Sequence, residues 1–182
     1  MNMEKCERHA VVREGYQILL RADAELLFPA DCPEIRTFYE TLAEACVSWV
    51  REVYGERLRR EFCELEGLRE KSQFGLRRYR FWMRSPWETE NLLALLCESC
   101  LTDWKDPQKG YRRIAHVWDV SDGTLLPPEE LLRRLDVRVG KKSFPFVPDG
   151  IYPQENTLVL FRNANENQPF AEHRLPLLQK EP

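Results

Sequence analysis

The sequence lacks any run of about 20 apolar residues, the length that a helix needs to cross a membrane. Its first 13 residues are charged, and no apolar segment typical of a secretory signal follows them. We therefore expect a cytoplasmic protein whose cysteines stay reduced. The six cysteines are Cys6, Cys32, Cys46, Cys63, Cys97 and Cys100.

Loops that bind phosphate are also missing, because the eight glycines are scattered and neither GxGxxG nor GxxxxGKS/T occurs. Positive charge is not in excess either, since 27 Lys and Arg stand against 30 Asp and Glu, for a net charge of −3. Nucleic-acid-binding domains usually present a net basic surface. We therefore predict no cofactor and do not expect nucleic acid as the partner.

The composition itself is that of a folded domain, with 43% hydrophobic and 11% aromatic residues. A chain of 182 residues fits one domain, and such a domain buries roughly 70% of the surface that its unfolded chain exposes. We predict a single α+β domain over residues 1–182, in which residues 1–13 could be a flexible N-terminus.

The clearest local pattern is a long amphipathic helix over residues 34–54. Its apolar residues recur in steps of three and four, which places them on one helix face. Pro33 suits the first helical position, and Gly55 suits the C-terminal stop. The apolar face, which we expect to cover a sheet, consists of Ile35, Phe38, Tyr39, Leu42, Cys46, Trp49, Val50 and Val53.

Strands account for most of the remaining pattern, and we expect them to form an antiparallel sheet. Residues 91–103 are rich in Leu and Ala and fit either a helix or a buried strand. A short second helix is predicted over residues 129–135, after the Pro127-Pro128 pair. The predicted strands are residues 15–28, 73–84 (ended by Pro86), 111–120 and 157–162, with an edge strand at 173–178.

Two segments together resemble one family. They are YRRIAHVWDVSDGTLLPPEELL at residues 111–132 and FPFVPDGIYPQENTLVLF at residues 144–161. Both look like the C-terminal domain of the RsiV-like anti-sigma factors, which also occurs in the peptidoglycan deacetylase PdaC. The resemblance implies a bacterial domain with a long helix on an antiparallel sheet, and a strand at residues 92–101. Its role, where known, is binding, since the anti-sigma members sense lysozyme outside the cell.

No functional residue carries over from that resemblance. The family's glycine-glycine-alanine-histidine segment should fall near residues 102–110, which read TDWKDPQKG and contain no histidine. Lysozyme sensing is therefore not expected of this chain.

Candidates for catalysis or metal binding are weak. Cys97 and Cys100 form the one CxxC pair, which could be a zinc or redox pair or simply two buried thiols. A structural zinc site needs four ligands, and no second pair is present. A cysteine could also form a nucleophilic site with His9, His116 or His173, but no spacing selects a pair. We predict no catalytic residue and no metal site.

The arginine-rich strand at residues 73–84 has the pattern that most strongly indicates a binding surface. In a strand, Arg78, Arg80, Trp82 and Arg84 share one face, opposite Tyr79, Phe81 and Met83. Such a face could bind an anionic or glycan partner. The alternative is a solvated face on which arginine stems cover Trp82. Trp87 and Trp104, in predicted loops, could likewise contact a partner or cap the core.

Three functions are compatible with these patterns. The leading hypothesis is a non-catalytic binding domain with an unknown macromolecular partner, either a protein or a glycan of the cell wall. The second is a small hydrolase-type enzyme whose site is assembled only in the fold. The third is a homodimeric accessory protein that pairs through a sheet edge or the long helix.

Overall fold

The computed structural model of the chain describes residues 1–102, 110–137, 145–165 and 167–177. Within these ranges the fold is mixed α+β, as predicted. Trp104 and Phe144 lie outside the described residues. The strands are β1 (Met3–Glu14), β2 (Gln17–Pro29), β3 (Arg77–Glu88), β4 (Leu92–Thr102), β5 (Arg112–Asp119), β6 (Thr124–Leu125), β7 (Gly150–Gln154), β8 (Thr157–Arg162) and β9 (Ala171–Pro176). The helices are α1 (Pro33–Trp49), α2 (Gly55–Cys63), α3 (Leu68–Ser72) and α4 (Pro128–Arg134).

The strands form two sheets. One has six strands in the order β1-β2-β3-β4-β5-β6, and the other has three in the order β7-β8-β9. The chain divides into two compact units, the first comprising Met1–Trp82 and Ser99–Tyr111, the second Met83–Glu98 and Arg112–Pro182. β3 and β4 therefore each contribute residues to both units. The single-domain organisation stays a prediction.

The first unit holds the long helix. A left-handed Gly15, with φ of 54°, turns β1 into its antiparallel partner β2. β2 pairs with β3 in parallel, so the expectation of a purely antiparallel sheet is wrong at this pair. Parallel neighbours need a crossover connection, and the helices between β2 and β3 supply it.

The helix is longer than predicted. α1 continues through a π-helical turn, Val50–Tyr54, into α2, so that 31 residues are helical without a break. The predicted stop at Gly55 is wrong, because Gly55 is itself helical, with φ of −62°. A Cβ there would lie 2.8 Å from Cγ2 of the buried Val12. Gly55 is needed for close approach of the helix to β1.

The buried face of the helix differs in part from the predicted one. Its fully buried residues are Ile35, Tyr39, Ala43, Val47 and Val50. They cover the inner side of β2, where Leu20, Ala22, Ala24, Leu26 and Phe28 are buried. Trp49 and Val53, expected in the apolar face, are 51% and 57% exposed.

The N-terminal segment and β3 also depart from expectation. Residues 1–13, which could have been flexible, start β1 and pair with β2 along its length. β3 continues past Pro86 to Glu88 rather than ending at the proline.

The second unit has its own core. Residues 92–98, left open between helix and strand, are the first part of β4 and are all buried. Burial on both faces of the strand explains why its sequence shows no alternation. The core of this unit contains Leu92, Ala94, Leu96, Val117, Leu126, Leu131, Ile151, Tyr152, Val159, Leu160 and Phe161. α4 follows Pro127-Pro128, close to the predicted second helix.

Among the described residues, no helix combines the length and apolar character needed to cross a membrane.

Candidate interaction surface

The arginine-rich strand alternates as predicted within the first unit. Tyr79 and Phe81 of β3 point inward and are buried, whereas Arg78 and Arg80 are exposed and Trp82 is half-buried. We call the side chains on this side of β1, β2 and β3 the outer face. Its members are Glu7, His9, Val11, Arg21, Asp23, Glu25, Arg78, Arg80 and Trp82.

The pairing register brings acids next to the predicted arginines. Asp23 of β2 is opposite Arg80, and Glu25 is opposite Trp82. The Arg80 guanidinium lies 3.5 Å from a Glu25 carboxylate oxygen and 5.9 Å from the centre of the Trp82 ring. The outer face therefore has mixed charge, with three arginines and three carboxylates, rather than being purely basic.

His9 adds a titratable group at the same level. Its Nδ1 lies 2.8 Å from Oδ1 of Asp23, and its Nε2 lies 3.5 Å from Glu7. The hydrogen bond to Asp23, with a smaller contribution from Glu7, raises the pKa of His9 above 6.5. Sequence reasoning missed these neighbours because β1 and β2 are more than 50 residues away along the chain.

At one position along the outer face, the positive charges have no neighbouring acid in the part of the chain that the structure describes. Arg21 of β2 is the direct register partner of Arg78, and both are exposed. No ion pair to either guanidinium forms within the described residues. Val11 of β1, 45% exposed, lies beside Arg21.

The opposite end of the face is aromatic. The rings of Trp82 and Tyr111 lie 6.3 Å apart between centres, with their planes inclined by 42°. Both side chains are half-buried, so each rests on neighbouring residues and keeps part of its surface accessible. Four residues of strand separate Arg78 from Trp82, a distance of about 13 Å.

Arg84, the fourth residue of the predicted site, has a different role in the second unit. Its Nε lies 2.9 Å from Oε2 of the buried Glu98. Nε and Nη2 of Arg113 contact the other oxygen of that carboxylate, at 3.0 and 2.9 Å. Arg84, whose side chain is 41% exposed, thus contributes to a charge network in the second unit.

Arg113 is the centre of that network. Its side chain is 9% exposed, and Nη1 donates to Glu172 at 2.7 Å and to the Tyr152 hydroxyl at 3.2 Å. Its guanidinium lies 4.9 Å from the centre of the Phe170 ring. Burial opposes ionisation of Glu172, but hydrogen bonds from Arg113 and Arg174 lower the pKa of this carboxyl overall. The lowered pKa keeps Glu172 ionised at neutral pH, so that it remains paired with both arginines.

Sequence analysis missed this cluster although one signal was available. In β5, Arg113 alternates with Ala115 and Val117, and Val117 is buried. An arginine in phase with buried residues indicates a paired, internal charge.

A small cavity of about 300 Å³ also lies in the second unit. Its described lining is mostly apolar and includes two titratable residues, His116 and Asp149. Burial lowers the pKa of His116 to about 4, so that the imidazole is neutral at physiological pH. Asp149 accepts a hydrogen bond from the backbone N–H of Asn163, at 2.7 Å. The lining contains no Cys, Ser, Thr or Lys among the described residues, so His116 and Asp149 are the groups there on which the hydrolase hypothesis would depend.

The cysteines and acids of the sequence motifs have ordinary surroundings. Cys97 and Cys100 lie on one strand, where residues three apart point to opposite faces. In the described part of the chain, no group of three or more His, Cys, Asp and Glu is placed to hold a metal ion. Asp119 and Asp122 accept backbone N–H groups of Ser121 and Thr124, as expected for turn residues. Hydrogen bonds from Ser121 and Arg134 lower the pKa of Asp119 to about 2.

Comparison with known proteins finds likeness in structure alone. No family model matches the sequence, and no curated protein matches it. A DUF3298 family protein from Pseudomonas aeruginosa PAO1 superposes with a TM-score of 0.52 and 13% identity, over 96% of this chain and 90% of that chain. A member of the same family from Bacteroides fragilis NCTC 9343 gives a TM-score of 0.57 and 10% identity over the same shares. The RsiV-like and PdaC connection stays a prediction, whereas the α+β fold is one that this chain shares with DUF3298 family proteins.

Proposed function

We propose that this protein is a non-catalytic binding domain that contacts a protein partner through the outer face. The observation that carries the proposal is the pair of half-buried aromatic rings, Trp82 and Tyr111, bordered by exposed charged residues. Trp, Tyr and Arg are the residues that most often dominate binding energy, and such anchors are usually ringed by polar side chains. The outer face has this composition.

The charges of the face favour a protein over a polyanion. Glu7, Asp23 and Glu25 would repel a nucleic-acid backbone that also contacted Arg78 and Arg80. A protein surface can place acids over the arginines and bases over the acids. The resemblance to RsiV-like domains, whose role where known is binding, supports the same class of function. The cytoplasmic location stays a prediction.

Arg80→Glu tests the proposal directly, because it reverses charge at the centre of the face. Tagged wild-type protein and the variant are used as bait in lysate of the source cells, and the captured proteins are identified by mass spectrometry. A protein retained by wild type should be lost with Arg80→Glu and with Trp82→Ala. Arg69→Glu is the matched control, since Arg69 is an exposed arginine on α3 of the same unit.

Affinity is then measured with the purified partner by calorimetry, and we expect at least a tenfold loss for Arg80→Glu. Equal capture by wild type and Arg80→Glu would end the proposal. Purified peptidoglycan is tested in parallel, and retention that depends on Trp82 would assign a glycan in place of a protein.

A second candidate function, a homodimeric accessory protein, has one observation in its favour. β1 is 12 residues long and lies at an edge of the six-stranded sheet, with β2 as its neighbour in the part of the chain that the structure describes. Long exposed edge strands can pair with another chain. Sedimentation equilibrium over a hundredfold concentration range should then show a dimer. A monomer throughout would eliminate this candidate.

A further inference from the structure

We propose that Arg21 and Arg78 form a subsite for a single carboxylate group of the partner. This inference rests on the proposed function, since the subsite lies on the outer face. It adds Arg21, which sequence analysis did not select, and it assigns the chemistry of the group that binds.

The first argument is the register. Arg21 and Arg78 are direct partners in a parallel strand pair, and neighbouring strands lie about 4.8 Å apart. Both side chains point to the same side of the sheet. Like charges placed directly opposite each other are destabilising. The arrangement therefore costs stability unless an anion lies between the two guanidinium groups.

The second argument is that none of the residues that the structure describes supplies that anion. Two residues further along β3, Arg80 has Glu25 at 3.5 Å and Asp23 as its register partner. On the side of β1 and β2, the neighbours at the level of Arg78 are Arg21 and the apolar Val11. The backbone oxygen of Arg78 accepts from the Thr102 hydroxyl at 3.1 Å, a bond that does not involve its guanidinium.

The third argument concerns the size of the anion. A guanidinium presents a planar fork of donors that fits the two oxygens of a carboxylate or the oxygens of a phosphate. Asp23 lies one level away from the arginine pair, and Glu7 and Glu25 lie two levels away. A chain of anionic groups would extend over these acids and be repelled by them, whereas a single carboxylate can bind at the arginines alone. Val11 can contact the aliphatic part of a Glu or Asp side chain.

The test observes the two guanidinium groups themselves. Full-length protein labelled with 15N-arginine is titrated with N-acetyl-glutamate amide, while the Nε–Hε signals are followed by NMR at constant ionic strength. We expect saturable shifts of the Arg21 and Arg78 signals, with little change at Arg69. Arg21→Gln and Arg78→Gln should each weaken binding at least fivefold, and Arg69→Gln should leave it unchanged.

A parallel titration with inorganic phosphate separates the two sources of oxyanion. Affinity for phosphate more than tenfold higher than for the glutamate derivative would overturn the carboxylate assignment. Linear shifts of equal size at every exposed arginine would show that no site exists. Thermal melting at low salt gives an independent readout, since Arg78→Gln should melt at the same temperature as wild type or higher. A clear loss of melting temperature would show a structural role instead.

Failure of this inference is distinguishable from failure of the proposed function. If the glutamate derivative does not bind but Arg80→Glu still abolishes partner capture, the outer face binds a partner by other contacts. If the derivative binds at Arg21 and Arg78 but Arg80→Glu leaves capture intact, the subsite exists and the proposed function is wrong.

Discussion

The two units use arginine in opposite ways. In the first unit, Arg21 and Arg78 are exposed and no described residue neutralises them. In the second unit, Arg113 is buried and contacts two carboxylates and a tyrosine hydroxyl. Burying a charge is costly unless it is paired, so an internal arginine must be committed to its own fold. An exposed, unpaired arginine remains available to another molecule.

This difference is the reason that we propose a binding surface in the first unit rather than in the second. The sequence predicted one site from four residues of β3, and one of them, Arg84, contacts the buried Glu98 of the second unit. Arg78 and Arg80 remain accessible, with Trp82 half-buried beside them. The following variants test whether charge is structural in the second unit and dispensable for folding in the first.

Arg113→Met should have the largest effect. It removes one of the two arginines that contact Glu98, whose side chain is 6% exposed, and one of the two that contact Glu172. Breaking a buried pair on one side costs about 3–5 kcal/mol. Urea denaturation measures the loss, with Arg78→Gln as a control expected to change stability by less than about 0.5 kcal/mol. A loss below about 1 kcal/mol for Arg113→Met would contradict the contrast between the units.

Two glycine substitutions should cause the next largest losses of stability, and the two losses should differ in size. A Cβ at Gly150 would lie 2.5 Å from Cζ of the buried Phe161, and overpacking of this kind costs about 1–3 kcal/mol. Gly55→Ala meets Val12 at 2.8 Å but gains about 1 kcal/mol of helix propensity. We therefore expect Gly150→Ala to lose more stability in chemical denaturation than Gly55→Ala.

Double variants, in which the residue that the new Cβ would contact is made smaller, provide the control. Val12→Ala removes the methyl group in contact, so Gly55→Ala should become neutral or stabilising in that background. Phe161→Leu should likewise reduce the cost of Gly150→Ala. An unchanged cost in either background would show that the steric contact is not the cause.

The two histidines should give pH effects of opposite sign. His116 has a pKa lowered to about 4 by burial, so its unfolded form binds more protons between pH 4 and 6.5. Its contribution to stability is complete above pH 6.5 and declines as the pH falls toward 4. His9 has a raised pKa, so its contribution is complete below pH 6.5 and is lost as the pH rises through the folded pKa.

Ring carbon chemical shifts in an NMR titration check both directions. Asp23→Asn should return the pKa of His9 toward 6.5 and leave that of His116 unchanged. His116→Gln should flatten the dependence of the urea midpoint on pH between 4 and 6.5. Titration of His116 near 6.5 would show that the imidazole is not buried in solution.

The smallest effect is expected for Arg80→Gln. Its ion pair with Glu25 is exposed, and such pairs contribute about 0.2–1 kcal/mol. A change in melting temperature of more than a few degrees would show that the outer face supports the fold, and its availability to a partner would then be in doubt.

Local periodicity predicted much of the fold. The alternation of Tyr79 and Phe81 with Arg78 and Arg80 gave the correct faces of β3, and the helix over residues 34–54 was found with its start at Pro33. The strand at residues 157–162 has the predicted bounds. These elements could be predicted because each is specified by the order of its own residues.

Long-range pairing could not be predicted in the same way. The acids opposite Arg80 and Trp82, and the position of Arg21 opposite Arg78, depend on the parallel pairing of β2 with β3, which no local pattern encodes. Gly55 was misjudged as a helix stop for a related reason. Its role depends on Val12, which lies 43 residues earlier. The sequence alone does not distinguish a glycine that allows close packing from a glycine that ends a helix.

The π-helical turn Val50–Tyr54 has a consequence for insertions and deletions. A π turn contains one residue more than an α turn, and each α-helical residue rotates the chain by about 100°. If the same residues formed a regular α-helix, everything downstream would be turned by about that angle. Gly55 would then no longer face Val12, and Leu58 would leave the core. The wide turn therefore accommodates the extra residue without changing the face that the second half of the helix presents, and deleting one residue there would leave a regular α-helix with Gly55 and Leu58 on the same face.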